Sequence, residues 1–161
     1  FANPQDMEEI IKELKEDGYL PRDKKQNNNK KKKNTPVVYT PHTIYSQDGT
    51  KISFGISSYQ NDYLTFTLAR KDDYFLHVKD HHGPHVIIFS NNPSKETILL
   101  ASEIALYYAN LTQGEIYLAD KKDVKKIPGK LGKVTINAFE TITLNEIRDS
   151  SKQLFLKHSQ R

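Results

Sequence analysis

One segment, residues 91–111, constrains the fold of this 161-residue chain more than any other. Its apolar residues recur every three or four positions, the spacing that places side chains on one side of an α-helix. They form two adjacent stripes: Ile98, Ala101, Ala105 and Tyr108 along one, and Leu100, Ile104 and Tyr107 along the other. Asn92 before Pro93 predicts where the helix starts. Because so wide an apolar face must be covered, we expect the helix to pack against a sheet.

The segments before and after this helix have the patterns of β-strands. An Asp48-Gly49 turn within residues 43–56 predicts a β-hairpin. Residues 63–70 alternate between leucine or phenylalanine and tyrosine or threonine, which predicts a half-buried strand. Further strands are predicted over residues 37–40, 74–79, 85–89, 115–119 and 133–144. The predicted fold class is therefore α+β, a mostly antiparallel sheet with one principal packed helix.

The sequence predicts four parts in the chain. Residues 1–20 contain six acidic residues and two lysines, and predict a short helix with Asp6 as N-cap and Gly18 as its end. Such a helix is marginal alone, so we expect it to dock on the main body or to end a longer helical element. Residues 21–36 contain seven basic residues and one acid without periodicity, and predict a disordered lysine-rich linker. The globular domain is predicted over residues 37–147, followed by a weakly helical tail over residues 148–161.

The composition excludes several classes of site. The chain has no cysteine, so disulfides, thiolate zinc sites and cysteine nucleophiles are absent. No apolar run approaches the roughly 18 residues of a membrane span, and no secretory leader is visible. We therefore expect a cytoplasmic protein without a membrane partner.

Four of the six histidines lie within residues 77–85. Three interpretations are open: metal ligands, acid–base catalysts, or polar side chains of an ordinary hairpin. His77 and His85 fall on two predicted strands and could face each other, whereas His81 and His82 fall in the turn. A closed zinc site needs about four ligands, so carboxylates such as Asp80 would have to join. Because the spacing matches no zinc pattern, no metal, cofactor or catalytic residue is assigned.

Two segments have the composition of nucleic-acid contacts. Residues 121–134 contain six lysines and two glycines, which suits either a charged surface loop or a clamp on a phosphate backbone. Residues 59–79 place charged side chains at the ends of predicted strands, interleaved with tyrosines. Exposed aromatic rings beside Arg and Lys can stack on and contact single-stranded nucleic acid. Aromatic residues in strands are also common core residues, so this second pattern leaves both interpretations open.

Together these segments resemble the NFACT RNA-binding (NFACT-R) domain, found near the C-terminus of bacterial RqcH proteins, which are also called fibronectin-binding protein A-like. The resemblance rests on "QNDYLTFTLARKDDYFLHVKDHHGPHVII" (residues 60–88), "KKDVKKIPGKLGKV" (121–134) and "NAFETITL" (137–144). Residues 7–20 and the lysine run after them resemble the family's exit from its coiled coil. The family's usual Gly-basic-Asn is here Gly55-Ile56-Ser57, which removes one expected RNA contact.

The resemblance implies a non-enzymatic RNA-binding module of a ribosome-quality-control factor. Its expected partners are tRNA, the large ribosomal subunit and the other domains of a full-length protein, in support of C-terminal tailing of nascent chains on stalled ribosomes. Phosphate contacts are predicted from Arg70, Lys71, Lys79, Lys125, Lys126, Lys130 and Lys133. Shape-specific polar contacts are predicted from Asn61, Asp62, His77 and His85.

Two alternatives from other classes stay open at this point. The first is a fibronectin-binding, adhesin-type protein-interaction module, as the second family label implies. The second is a metal-dependent hydrolase that uses the histidine cluster.

Overall fold

A computed structural model describes residues 4–16 and 38–159. The predicted linker (residues 21–36) and the predicted helix end at Gly18 lie outside the described residues. The helices are α1 (Pro4–Glu16), α2 (Ser58–Tyr63), α3 (Lys95–Tyr107) and α4 (Asp149–Ser159), and α2 continues into a π-helical segment, Leu64–Leu68. No described helix combines the length and the hydrophobicity that a membrane crossing requires.

Six of the strands form one antiparallel sheet. The strands are β1 (His42–Tyr45), β2 (Lys51–Phe54), β3 (Tyr74–Val78), β4 (Val86–Ile88), β5 (Gly114–Asp120), β6 (Val124–Lys126), β7 (Val134–Ile136) and β8 (Glu140–Leu144). The sheet has the order β1-β2-β4-β3-β5-β8, with every neighbouring pair antiparallel. β6 and β7 pair separately and belong to a segment that we call the lysine hairpin, residues 121–136. The predicted α+β class is confirmed.

α3 and α4 cover one face of the sheet. Val78, Val86 and Ile88 of the sheet meet Ile104 of α3, and all four are at most 1% exposed. Phe155 of α4 is fully buried in the same core. Each such large apolar side chain stabilises the fold by about 1.5–3 kcal/mol. The prediction that the principal helix packs on a sheet is therefore confirmed.

The predicted start of the principal helix is wrong by two residues. Ser94, rather than Asn92, is the N-cap, because its hydroxyl accepts a hydrogen bond from the backbone N–H of Thr97 at 3.1 Å. Serine and asparagine are about equally good caps, so local sequence does not choose between them.

α2 and the lysine hairpin cover the opposite face. Leu64, Phe75, Ile87, Ala119 and Val124 form a second, smaller core between the sheet and these two elements. The strand predicted over residues 63–70 is therefore wrong, because the chain is helical as far as Leu68. Burial does not alternate along this segment: Leu64 and Thr65 are fully buried, Phe66 is half-buried and Leu68 is 40% exposed. The strand predicted over residues 37–40 is also wrong for residues 38–40, which have no regular structure.

One side chain, Asn61, fastens α2 to the sheet. Its Oδ1 atom accepts a hydrogen bond from the backbone N–H of His85 at 3.0 Å. The backbone N–H of Gly55 donates to the carbonyl of His85 at 3.2 Å, so the three residues form one contact. A Cβ atom at Gly55 would lie 2.7 Å from the backbone nitrogen of Asn61. α2 can approach this closely because residue 55 has no side chain.

α1 docks on α2 through acidic side chains. Asp6 is 1% exposed and Glu9 is 7% exposed, whereas Met7 is 47% exposed. Ser57 donates a hydrogen bond to Glu9 at 3.0 Å, and the backbone N–H of Ser58 donates to Glu13 at 2.9 Å. Carboxylates are favourable at the N-terminus of α2, because the first backbone N–H groups of a helix have no partner within the helix and carry partial positive charge. Burial raises the pKa of Glu9.

The docking of α1 that we expected is thus confirmed, but the role of Asp6 is not. Asp6 lies inside α1 instead of capping it, and its carboxylate bonds to Gln60 of α2 and to His42 of β1, the latter at 2.7 Å. His42 also hydrogen-bonds to His158 of α4 at 2.8 Å. This chain of contacts joins the two ends of the described structure across the edge of the sheet.

The start of α4 is held by a buried carboxylate, Glu103. This side chain is fully buried and accepts hydrogen bonds from Arg148 at 2.7 Å and from Ser151 at 2.7 Å. Arg148 also pairs with the exposed Glu96 at 2.7 Å. The helical prediction for the tail is confirmed.

Replacing Arg148 with alanine should destabilise the fold by roughly 3 kcal/mol, because Glu103 would keep a buried charge without its partner. Glu96→Ala removes the exposed pair of the same arginine and should cost less than about 1 kcal/mol. Urea unfolding followed by circular dichroism measures both variants. Equal losses in the two variants would contradict the importance of the buried carboxylate.

Gly55→Ala should destabilise the fold by about 3 kcal/mol, the upper range for forcing an extra methyl group into a packed site. A matched control is Gly129→Ala, where a Cβ atom meets nothing within 4 Å and only the φ of +76° is unfavourable. This control should cost about 1 kcal/mol. Thermal unfolding of the two variants compares them, and a Gly55→Ala protein as stable as the control would contradict the close approach of α2.

Candidate nucleic-acid interface

The lysine hairpin presents a group of exposed cations on a structured loop. Lys125 and Lys126 lie on β6, and Lys130 and Lys133 lie on the connection to β7; all four are exposed. The loop is closed by backbone hydrogen bonds from Ile127 to Lys133 at 3.1 Å and from Lys133 to Lys130 at 3.2 Å. Because the backbone is fixed, the lysines project from defined positions.

Gly132 joins this loop to α2. Its φ is +71°, and a Cβ atom there would lie 3.0 Å from the Cα and Cβ atoms of Ser58. The loop therefore rests on the same helix that Asn61 fastens to the sheet.

Carboxylates neutralise some of these cations and leave others uncompensated. Lys126 pairs with the partly buried Asp62 of α2 at 3.0 Å, and Lys79 pairs with Glu115 at 3.2 Å. Within residues 4–16 and 38–159, Lys125 and Lys130 form no ion pair with a carboxylate. Lys121 and Lys133 of the hairpin likewise form no ion pair with a carboxylate of the described residues, so four of its six lysines are uncompensated.

His77 and His85 face each other between β3 and β4, as predicted. Their ring centroids lie 5.8 Å apart and the rings are perpendicular. His85 is 2% exposed, and its Nδ1 atom lies 2.8 Å from the hydroxyl of Thr65. Burial, followed by the charge of His77, lowers the pKa of His85 to about 3, and burial also lowers the pKa of His77. Both rings are therefore neutral at pH 7 and supply no charge to a phosphate.

The other two histidines, His81 and His82, are exposed in the turn between β3 and β4. The ammonium of Lys133 lies 3.4 Å from the Nδ1 atom of His82. In the part of the chain that the structure describes, no group of three or more His, Asp or Glu side chains is arranged to hold a metal ion.

The remaining predicted site residues separate into accessible and enclosed ones. Arg70 and Lys71 are exposed in the turn before β3. Asn61 is 8% exposed and, with Asp62, lies within α2 rather than at the end of a strand as predicted. His85 is also enclosed, and its ring and backbone groups bond within the protein.

Two lysines that were not among the predicted site residues lie beside the predicted ones. The backbone N–H of Lys122 donates to the carbonyl of Lys71 at 3.2 Å, which places the start of the lysine hairpin against the turn before β3. The ammonium of Lys121 lies 5.6 Å from the ring centroid of Phe66, and that of Lys126 lies 5.9 Å from it. The lysine content of residues 121–134 was the signal that pointed to Lys121 and Lys122.

Comparison with curated proteins finds relatives over nearly the whole chain. The chain is 35% identical over 153 residues to the Rqc2 homolog RqcH of Bacillus subtilis, which covers 92% of the chain and 26% of that protein. It is 33% identical over 159 residues to the Rqc2 homolog RqcH of Streptococcus suis, which covers 95% of the chain and 28% of that protein. The chain thus spans about a quarter of the length of these relatives. No protein-family model matches it.

Comparison with solved structures agrees. The structure of the C-terminal of the fibronectin/fibrinogen-binding protein from Streptococcus suis superposes with a TM-score of 0.75 at 31% identity. The match covers 94% of this chain and 61% of that one. The chain is therefore homologous to RqcH over most of its length and has the fold of the C-terminal part of a fibronectin-binding protein A-like protein, in agreement with an NFACT-R domain.

Proposed function

We propose that this chain is a non-enzymatic RNA-binding module of a ribosome-quality-control factor, and that it contacts tRNA or large-subunit ribosomal RNA on stalled ribosomes in the cytoplasm. The observation that carries the proposal is the lysine hairpin, an ordered loop with exposed cations on a chain homologous to RqcH. The remaining domains of a full-length protein would supply the rest of the activity, including support of C-terminal tailing.

The chemistry of the surface suits a phosphate backbone. Lysines bind RNA phosphates through charge and through the release of condensed counterions, without reading sequence. Lys125 and Lys130 have no carboxylate partner within the described residues, so their charges are available to a polyanion. Arg70, Lys71, Lys79, Lys126 and Lys133 extend the same set of candidate contacts. His77 is half-buried and neutral, and would offer a polar rather than a charged contact.

We assign Asn61 and His85 to positioning rather than to RNA contact. Both are nearly fully buried. The bond from the backbone of His85 to Asn61 holds α2 on the sheet, and the lysine loop packs on α2 where Gly132 meets Ser58. Asp62 would hold Lys126 in place through their ion pair. The shape of the proposed RNA-binding surface thus depends on groups that the RNA does not touch.

A fibronectin-binding function is the second candidate, because the neighbouring solved structure is named for fibronectin and fibrinogen binding. It predicts binding to immobilised fibronectin that neither nuclease treatment nor lysine reversal reduces. A metal-dependent hydrolase has no support from the arrangement of the described histidines and carboxylates.

The triple variant Lys125→Glu, Lys126→Glu and Lys130→Glu should abolish tRNA binding. In the unmodified chain, the logarithm of the affinity should fall linearly with the logarithm of the salt concentration. Each lost phosphate contact reduces that slope by about 0.7–0.9, so a partially active double variant should show a slope smaller by roughly 1.4–1.8. Filter binding or fluorescence anisotropy at several salt concentrations measures both quantities.

A matched control reverses three exposed lysines on the opposite face of the sheet, with Lys95→Glu on α3 and Lys152→Glu and Lys157→Glu on α4. The control has the same change in net charge and should keep most of the affinity and the original salt slope. Equal losses in the two triple variants would contradict a local role for the hairpin, and unchanged tRNA binding in the hairpin variant would sink the proposal.

A further inference from the structure

An aromatic pair of one exposed and one partly buried ring lies next to the lysine hairpin. Phe139, in the connection from β7 to β8, is 50% exposed, and its ring lies 4.5 Å from that of Tyr117 on β5 at an interplanar angle of 64°. The ring of Tyr117 therefore supports Phe139 edge-to-face. The connection is fastened by a hydrogen bond of 2.8 Å from the backbone N–H of Asn137 to the carbonyl of Asp123 at the start of the hairpin.

The register of the sheet places this pair on the same face as the lysine hairpin. Tyr117 lies opposite His77 of β3 and opposite Thr141 of β8, and directly paired residues of antiparallel strands point to the same side. The hairpin packs over Ala119, which is 4% exposed, but leaves Tyr117 partly open two residues away. The aromatic pair thus lies on the part of this sheet face that the lysine hairpin does not cover.

One lysine without a carboxylate partner among the described residues lies near this opening. Lys133 contributes to the lowered pKa of His77, the residue that pairs with Tyr117 in the register. Lys79, two residues after His77, forms an ion pair of 3.2 Å with Glu115, so its charge is compensated. The other large exposed aromatic side chain among the described residues, Tyr45, lies on β1 at the far edge of the sheet. An isolated exposed ring needs no explanation. A supported ring beside the lysine hairpin, on the face that carries the proposed phosphate contacts, is a different arrangement.

We propose that Phe139, supported by Tyr117, is a stacking surface for an unpaired base of the RNA whose phosphates contact the lysine hairpin. This inference rests on the proposed RNA-binding function and specifies the RNA as single-stranded at this point. Aromatic side chains on open sheet surfaces can stack on splayed bases, whereas the bases of a duplex are already stacked and paired. The exposed threonines of β8, Thr141 and Thr143, give the patch a polar rim that suits a base better than an extended apolar partner.

The absence of tryptophan from the chain makes the test direct. In Phe139→Trp the fluorescence of the single indole reports on this position alone. A single-stranded adenosine 12-mer should quench it to saturation, with a midpoint that rises with salt, because a stacked base quenches indole emission. A blunt 12-base-pair RNA duplex should compete for the lysines without quenching. The matched control, Tyr45→Trp, places the indole at the opposite edge and should not be quenched.

Phe139→Leu supplies the complementary measurement, since it keeps an apolar side chain against Tyr117 but removes the ring. It should weaken binding of the single-stranded 12-mer about tenfold, within the range of 1–3 kcal/mol for one stacked base. Affinity for the duplex should change less than about twofold.

Two negative results separate this inference from the function on which it rests. If the lysine triple variant loses the 12-mer while both Phe139 variants behave like the unmodified chain and the control, the stacking surface is refuted and the RNA-binding function stands. If the lysine triple variant also keeps full affinity for the 12-mer and for tRNA, the proposed function fails together with the inference.

Discussion

The hydrogen bond from the backbone of His85 to the side chain of Asn61 is the contact on which the remaining arrangement depends. It holds α2 against the sheet at the one place where a glycine, Gly55, permits so close an approach. α2 then offers Ser58 as the surface against which Gly132 of the lysine loop packs. The same end of α2 receives the acidic side chains of α1. A short polar helix thus connects the sheet, the N-terminal helix and the candidate RNA surface.

The buried and the exposed polar groups of this domain differ in charge. The enclosed polar groups are neutral or paired: burial keeps His85 uncharged at neutral pH, and Glu103 bonds to Arg148 and Ser151. The accessible groups of the hairpin are lysines, which keep their charge when they exchange water for phosphate. This arrangement explains why the histidine cluster, the most conspicuous local feature of the chain, contributes shape to the proposed surface while lysines contribute the attraction.

Much of the fold was predictable from local patterns. The Asp48-Gly49 hairpin, the strands around the histidines and the apolar stripes of α3 all lie where spacing places them. Prediction failed at residues 63–70, where alternating leucine, phenylalanine and threonine residues form a π-helical turn because the N-capping Ser57 and the contact of Asn61 hold the preceding turn as a helix. For α1 the helix and its docking were predicted, but the N-cap role of Asp6 was wrong, because Asp6 and Glu9 are buried against polar groups of α2.

The amino-acid sequence by itself determined the α+β class, the position of the principal helix, the absence of thiol chemistry and the lysine-rich segment, because each depends on spacing or composition within a few residues. Only the tertiary structure decided which polar residues are accessible. Asn61 and His85 lie 24 positions apart in the sequence, yet they are hydrogen-bonded to each other. The ring of Tyr117 contacts the ring of Phe139 at the end of the sheet. Such contacts depend on the register of strands and on the layer that covers each face, neither of which local spacing specifies.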